Sequence, residues 1–92
     1  MVNAIVLIRC ERGTVNEVAE TLAALPAISE VYSVGGRFDL VAIIRAKEND
    51  ALADVVTKEI SSTPGIASTE TMVAFRAYSR HDLEAAFSLG TE

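Results

Sequence analysis

The sequence IVLIR at positions 5–9 recurs as VAIIR at positions 41–45. Each run is apolar at almost every position, which is typical of a central strand covered on both faces. A second pair follows at a similar distance, LPAI at positions 25–28 and TPGI at positions 63–66. Residues with helical spacing of apolar side chains fill both intervals. Each half of the chain therefore predicts one β-α-β unit.

The repeat predicts strands at 2–8, 28–34, 38–46 and 66–78. In the second of these, we expect Ile28, Tyr32 and Val34 on one face and Val31 on the other. The first helix is predicted to begin at Thr14, with Glu17 completing a capping box, and to stop before Pro26. The second is predicted to be capped by Asn49 or Asp50 and to end before residues 61–65. The order β-α-β-β-α-β predicts an α+β, ferredoxin-like sandwich, with a four-stranded antiparallel sheet and two helices on one face.

The end of the chain carries a weaker helical pattern. Leu83, Ala86 and Phe87 fall on one side of a short helix predicted at 82–89, which Gly90 closes. We therefore expect a ferredoxin-like domain at 1–79 and a C-terminal helical tail at 80–92. The length of 92 residues suits one small domain.

Half of the residues are apolar, which is generous for so short a chain. The two helices cover one face of the predicted sheet, while the first and third strands are apolar on both faces. A contiguous apolar face exposed to water favours association between subunits. The pattern predicts a symmetric dimer formed through the sheet face. The alternative is a monomer whose tail folds over the sheet through Leu83 and Phe87.

Composition argues against several classes of function. The net charge is −5 and the basic residues are scattered singly, so no direct contact with nucleic acid is expected. The single cysteine, Cys10, allows no internal disulfide or zinc knuckle. We expect no signal peptide or membrane span and a cytoplasmic location. His81 has no partner pattern for catalysis, and no catalytic residue, metal or cofactor is predicted.

A polar turn, GGRFD at positions 35–39, joins the second and third predicted strands. Gly35 and Gly36 allow a tight turn and leave their amide groups accessible. Asp39 follows at the start of a strand. It is either a local acceptor that stabilises the turn or a charged group available to a ligand.

The segment GRFDL at 36–40 overlaps this turn. It resembles the Gly-x-(Tyr/Phe)-Asp-(Leu/Tyr) signature of the Lrp/AsnC ligand-binding domain. PGI at 64–66 and TET at 69–71 are similar to the Pro-Gly-Val and Thr-x-Thr segments of that family. The match covers residues 3–78. It resembles the stand-alone form of the module, the RAM domain (regulation of amino-acid metabolism), which lacks a helix-turn-helix part.

The resemblance implies a regulatory module rather than an enzyme. In that family, domains dimerise through their sheets, dimers assemble into octameric or similar rings, and amino-acid effectors bind between dimers. Full-length Lrp/AsnC relatives are then possible partners. The module is expected to act by ligand-linked oligomerisation in transcriptional or metabolic regulation.

The predicted ligand site combines the turn with two threonines. Asp39 suits an effector ammonium, and the amides of Gly35 and Gly36 suit its carboxylate. Arg37 adds a cation, and Thr69 and Thr71, two apart on a strand, add hydroxyls on one side. Solvent exposure of Arg37 and ordinary strand roles for the threonines are the competing interpretations. Gly35 stands where the family often has Thr, which removes a hydroxyl.

Two further functions stay open at this point. Dimeric ferredoxin-like proteins include small cofactor-free enzymes, whose cavities are lined with His, Asn, Trp or Tyr. This chain has no Trp and one His, which counts against that alternative. ACT-like modules share the fold and also bind amino acids at interfaces; the GRFD and TET segments favour the RAM interpretation.

Overall fold

The structure is a computed structural model, and it describes residues 1–78 and 80. Strands β1 (Val2–Cys10), β2 (Ile28–Ser33), β3 (Leu40–Ala46) and β4 (Ile66–Ala74) form one sheet in the order β2-β3-β1-β4. Every pairing between neighbouring strands is antiparallel. The helices are α1 (Val15–Ala23) and α2 (Asn49–Asp54), and α2 continues as a π-helical segment, Val55–Ile60. The predicted ferredoxin-like fold is confirmed. The predicted tail helix lies outside the described residues.

One face of the sheet packs against the helices and forms the core. Alternate residues of β1 and β3 point to this face because side chains alternate along a strand. The helices contribute apolar side chains to the same core. Its buried residues include Ala4, Val6, Ile8, Leu40, Ala42 and Ile44 of the two strands, Val18 and Leu22 of α1, and Leu52, Val55 and Ile60 of the second helix.

The opposite face of the sheet carries no helix among the described residues. It presents an apolar surface, hereafter the open face, formed by Ile5, Leu7, Val41, Ile43 and Met72. The strand register pairs Ile5 with Ile43 on one side and with Met72 on the other, so these side chains are contiguous. The prediction that the first and third strands are apolar on both faces is confirmed.

Two strand predictions need correction. The last strand ends at Ala74 rather than at residue 78. Ala74 already pairs with Asn3 near the start of β1, and the pairing between β1 and β4 ends there. In β2, Ile28 and Tyr32 were expected on one face with Val31 on the other. An irregularity between Ile28 and Glu30 shifts the register, so Ile28 and Val31 lie towards the helices and Tyr32 lies on the side of the open face.

Thr14 is the N-cap residue of α1, as predicted, but the predicted capping box and the predicted cap of α2 are wrong. The Thr14 side chain makes no cap hydrogen bond to α1. Its hydroxyl instead lies 2.7 Å from the Glu11 carbonyl oxygen and 3.0 Å from the Gly65 carbonyl oxygen. Helix α2 begins at Asn49 itself, after an extended Glu48 that supplies no side-chain cap. Tertiary contacts with the loop before β4 thus replace a local capping box at α1.

Candidate functional site

The turn between β2 and β3 is open to solvent. Gly35, Gly36 and Arg37 are exposed. Gly36 adopts φ +117°, a conformation that residues with a β-carbon rarely adopt. Apart from each glycine and its two chain neighbours, no atom of the described residues lies within 4 Å of where a β-carbon would stand on either glycine, so a small ligand can approach the backbone here.

Asp39 closes this turn and ties it to β1. Its amide donates to the Ile8 carbonyl oxygen at 2.9 Å, and its own carbonyl oxygen accepts the Val34 amide at 3.0 Å. Its Oδ2 accepts the amide of Cys10 at 2.9 Å, where the β1–β4 register shifts. The side chain therefore anchors strand β1 rather than capping its own turn. Because an ionised carboxylate offers about four acceptor positions, capacity for a ligand remains.

Two neighbours complete the environment of Asp39. Partial burial, and then the Asp39 charge, raise the pKa of the Cys10 thiol. The thiol is therefore neutral at physiological pH. The Arg9 guanidinium lies 5.3 Å from the centre of the Phe38 ring, a cation–π distance that holds Phe38 against β1.

Thr69 and Thr71 lie on the helix side of β4, because their partners across the ladder are the buried residues Ile8 and Val6. Both threonines are nevertheless exposed. Strand β4 is at the edge of the sheet, where the helices cover it incompletely. The prediction that both hydroxyls share one side agrees with this register.

The six predicted ligand residues form two groups. Ile8 pairs with Leu40 on one side and with Thr69 on the other, so strand β1 separates Asp39 from the threonines. Neighbouring strands lie about 4.8 Å apart, which places the two groups on the order of 10 Å apart. Gly35, Gly36, Arg37 and Asp39 come together in the turn. Thr69 and Thr71 do not join them within one subunit.

A polar cleft that the sequence analysis missed lies at the same end of the sheet. It has a volume of about 180 Å³ and is lined by Glu11, Thr14, Glu17, Thr21, Pro64 and Gly65. The PGI segment was the signal for it, but the sequence predicted for that segment only a repeat, the end of the second helix and a family resemblance. Its contact with Thr14 crosses 51 positions of sequence, which no local pattern encodes.

Within the described residues, no group of three or more His, Cys, Asp or Glu side chains is arranged to hold a metal ion. Nor is any helix among them long and apolar enough to cross a membrane.

Comparison with known proteins finds one family that matches most of this chain. Residues 3–83 match the model of the Lrp/AsnC ligand binding domain. The HTH-type transcriptional regulator FL11 of Pyrococcus horikoshii is 36% identical over 75 residues, covering 82% of this chain and 49% of the relative. The chain thus spans about half the length of the curated relatives that it matches.

Two solved structures extend the comparison. The protein TTHA0845 from Thermus thermophilus superposes with a TM-score of 0.82 at 50% identity, covering 87% of this chain and all of that one. A feast or famine regulatory protein from M. tuberculosis, solved with L-methionine, superposes with a TM-score of 0.70. It is 22% identical, and the match covers 87% of this chain and 54% of that one, so it shows the shared fold alone.

Proposed function

Because this chain belongs to the Lrp/AsnC ligand-binding domain family, we propose that it is a regulatory module that binds an amino-acid effector between dimers and changes its assembly in response. Its curated relatives are named as transcriptional regulators. Those names support a regulatory role rather than an enzymatic one.

The separation of the predicted ligand residues carries this proposal. The α-ammonium and α-carboxylate of an amino acid are attached to the same carbon, so their contacts must be close together. The turn and the threonine pair are on the order of 10 Å apart across β1. An amino acid that contacts both groups therefore takes them from different subunits, which makes binding and assembly one event.

The chemistry of the turn suits the two charged ends of an amino acid. Asp39 has acceptor positions beyond the one that the Cys10 amide occupies, and these are available to the ammonium. The exposed backbone at Gly35 and Gly36 offers amides to the carboxylate, and Arg37 adds a positive charge nearby. Thr69 and Thr71 of a neighbouring subunit complete the lining.

The feast or famine regulatory protein solved with L-methionine supports the choice of effector class. We place L-methionine among the first candidates on that ground. Gly35 presents no hydroxyl, which favours an effector whose side chain needs no hydrogen bond at that position.

The open face provides the first level of assembly. Two copies that pack their open faces together remove Ile5, Leu7, Val41, Ile43 and Met72 from water, and association then relieves the cost of the exposed patch. Such dimers assemble further into an octamer or a similar ring, and the effector binds at the contacts between them. Full-length Lrp/AsnC relatives with the same interface are the natural protein partners.

Ligand linkage supplies the mechanism. An effector shifts the balance between dimers and larger assemblies only by the difference in its affinity for the two forms. A site shared between dimers exists in full only in the larger assembly, so the effector favours that form.

Isothermal titration calorimetry with each of the twenty amino acids tests the binding step. Saturable heat for at least one amino acid is expected, and its absence for all of them removes the proposal. Sedimentation of an Ile43→Lys variant tests the dimer separately, because a lysine on the open face should yield monomers. Ala23→Lys, on the exposed surface of α1, is the matched control and should leave the assembly unchanged.

A further inference from the structure

Asn3 carries a buried acceptor that has no donor among the described residues of its own subunit. Alternation along β1 places Asn3 on the same side of the sheet as Ile5 and Leu7 of the open face. Its Oδ1 is almost completely hidden from water and accepts no hydrogen bond. Arg45, its neighbour across the β1–β3 pair, donates none to it. A buried acceptor without a donor destabilises a protein and requires an explanation.

Arg9 lies at the other end of the same row of side chains. It is exposed and follows Leu7 by two positions, so it also lies on the side of the open face. Six positions separate it from Asn3, which is about 20 Å along a strand. Its guanidinium lies 5.3 Å from the centre of the Phe38 ring. A planar guanidinium that packs against a ring keeps N–H groups at its edge, and these are available to an acceptor.

Two symmetric alignments bring β1 of one subunit over β1 of a second copy. When the twofold axis runs along the strand, every residue faces its own copy, so Arg9 meets Arg9 and like charges lie together. When the axis runs across the strand, midway between Ile5 and Leu7, the row is reversed and Asn3 meets Arg9 of the partner subunit. Both alignments cover the apolar side chains of β1, so the polar ends of the row decide between them.

We propose that the open-face dimer takes the second alignment, in which Oδ1 of Asn3 accepts a hydrogen bond from Arg9 of the partner subunit. The inference rests on the proposed dimer and adds the pair of residues that fixes its alignment. Twofold symmetry forms this pair twice. Asn3 as a whole is only partly buried, so rotation of its side chain can turn Oδ1 towards the partner. A single buried Asn specifies alignment in the same way in coiled coils.

Thiol cross-linking measures the alignment. In a Cys10→Ser background, Asn3→Cys chains are co-expressed with Arg9→Cys chains and treated with a short bismaleimide, because facing sheets lie about 10 Å apart. The mixture should yield at least about fivefold more cross-linked dimer than either variant alone, since only the mixed dimer brings two thiols within reach. Cross-linked dimer from Asn3→Cys alone, or equal yields in all three samples, overturns the alignment.

Asn3→Asp tests the hydrogen bond through the sign of its effect on dimer affinity. A carboxylate that faces Arg9 of the partner subunit should tighten the dimer about three- to tenfold in sedimentation, because a salt bridge replaces a hydrogen bond to a neutral acceptor. A carboxylate that faces its own copy would weaken the dimer instead. Asn16→Asp, on the exposed surface of α1, adds the same charge and is the matched control. Arg9→Met should abolish the gain.

The outcomes separate this contact from the dimer itself. An Asn3→Asp dimer that is no tighter than the Asn16→Asp control overturns the contact, as does a gain that persists with Arg9→Met. Parent chains that sediment as monomers would overturn the proposed open-face dimer, and the contact with it.

Discussion

Gly65 packs so tightly against Thr14 that a β-carbon on Gly65 would lie 2.9 Å from the Thr14 β-carbon. The same glycine adopts φ +93°, and its carbonyl oxygen accepts the Glu11 amide at 2.7 Å. The loop before β4 is thereby joined to the start of α1. The PGI segment thus has a structural role in this chain in addition to its family resemblance.

Gly65→Ala should lower the free energy of unfolding by about 2–4 kcal/mol, since the new methyl adds overpacking to an unfavourable backbone conformation. Thermal or urea unfolding measures the loss. Because Val18 contributes an equally close contact at 2.9 Å, Thr14→Ser alone should not restore the stability. A Gly65→Ala variant as stable as the parent would contradict the close packing described for this loop.

The two turn glycines should respond oppositely to alanine. Gly36→Ala should lower the unfolding free energy by about 1–3 kcal/mol because of its positive φ. At Gly35 an added methyl would contact no neighbour, and φ is not positive. Gly35→Ala should therefore change the free energy of unfolding by less than about 1 kcal/mol, with a gain expected. Chemical denaturation of the pair checks this, and equal losses at both positions would show that the turn has a different conformation.

Asp39 has a structural and a ligand role that substitution can separate. Asp39→Ala leaves the Cys10 amide without its acceptor and should cost about 1–3 kcal/mol of stability. Asp39→Asn retains an oxygen for that amide but loses the charge for an effector ammonium. It should therefore keep most of the stability and lose effector binding. An Asn variant that binds as tightly as the parent would remove Asp39 from the site.

The Cys10 thiol should alkylate slowly at neutral pH, because burial, and then Asp39, raise its pKa. The folded state favours the neutral thiol, so its stabilising contribution is full below the ordinary thiol pKa and is lost as pH rises through the raised value. The pH profile of iodoacetamide labelling should have its midpoint above that of a free cysteine. Asp39→Asn should lower the midpoint only partly, since desolvation is the larger cause; a midpoint at or below the free value would contradict this.

Continuous apolar runs and their repetition were sufficient to predict the sheet. The apolar runs around Val6 and Ile43 indicated strands covered on both faces, and the two β-α-β halves limited the topology to one common arrangement. The buried stripe of each helix followed from its apolar spacing. These features depend on residues close together in the sequence, which is why they were predictable.

Two of the incorrect predictions concern features that distant residues determine. The irregularity beside Ile28 depends on pairing with Ile44. Thr14 has the residue type and spacing of a helix cap, yet the loop at Gly65 provides its partner.

The same distinction applies to the candidate site. The turn and its exposed glycines were evident in GGRFD, and the shared side of Thr69 and Thr71 followed from strand periodicity. The hydrogen bond from the Cys10 amide to Asp39 joins residues 29 positions apart and was not predictable from local pattern. Thr69 and Thr71 were predicted to form one site with the turn. The strand order has β1 between the turn and the threonines, so these two groups do not meet within one subunit.

Native mass spectrometry of the full chain, with and without each amino acid, tests the central claim most directly. The account predicts that at least one amino acid increases the proportion of assemblies larger than the dimer, and that Asp39→Asn abolishes this increase while its dimer persists. An unchanged mass distribution with all twenty amino acids, or an equal response in the Asp39→Asn variant, would contradict it.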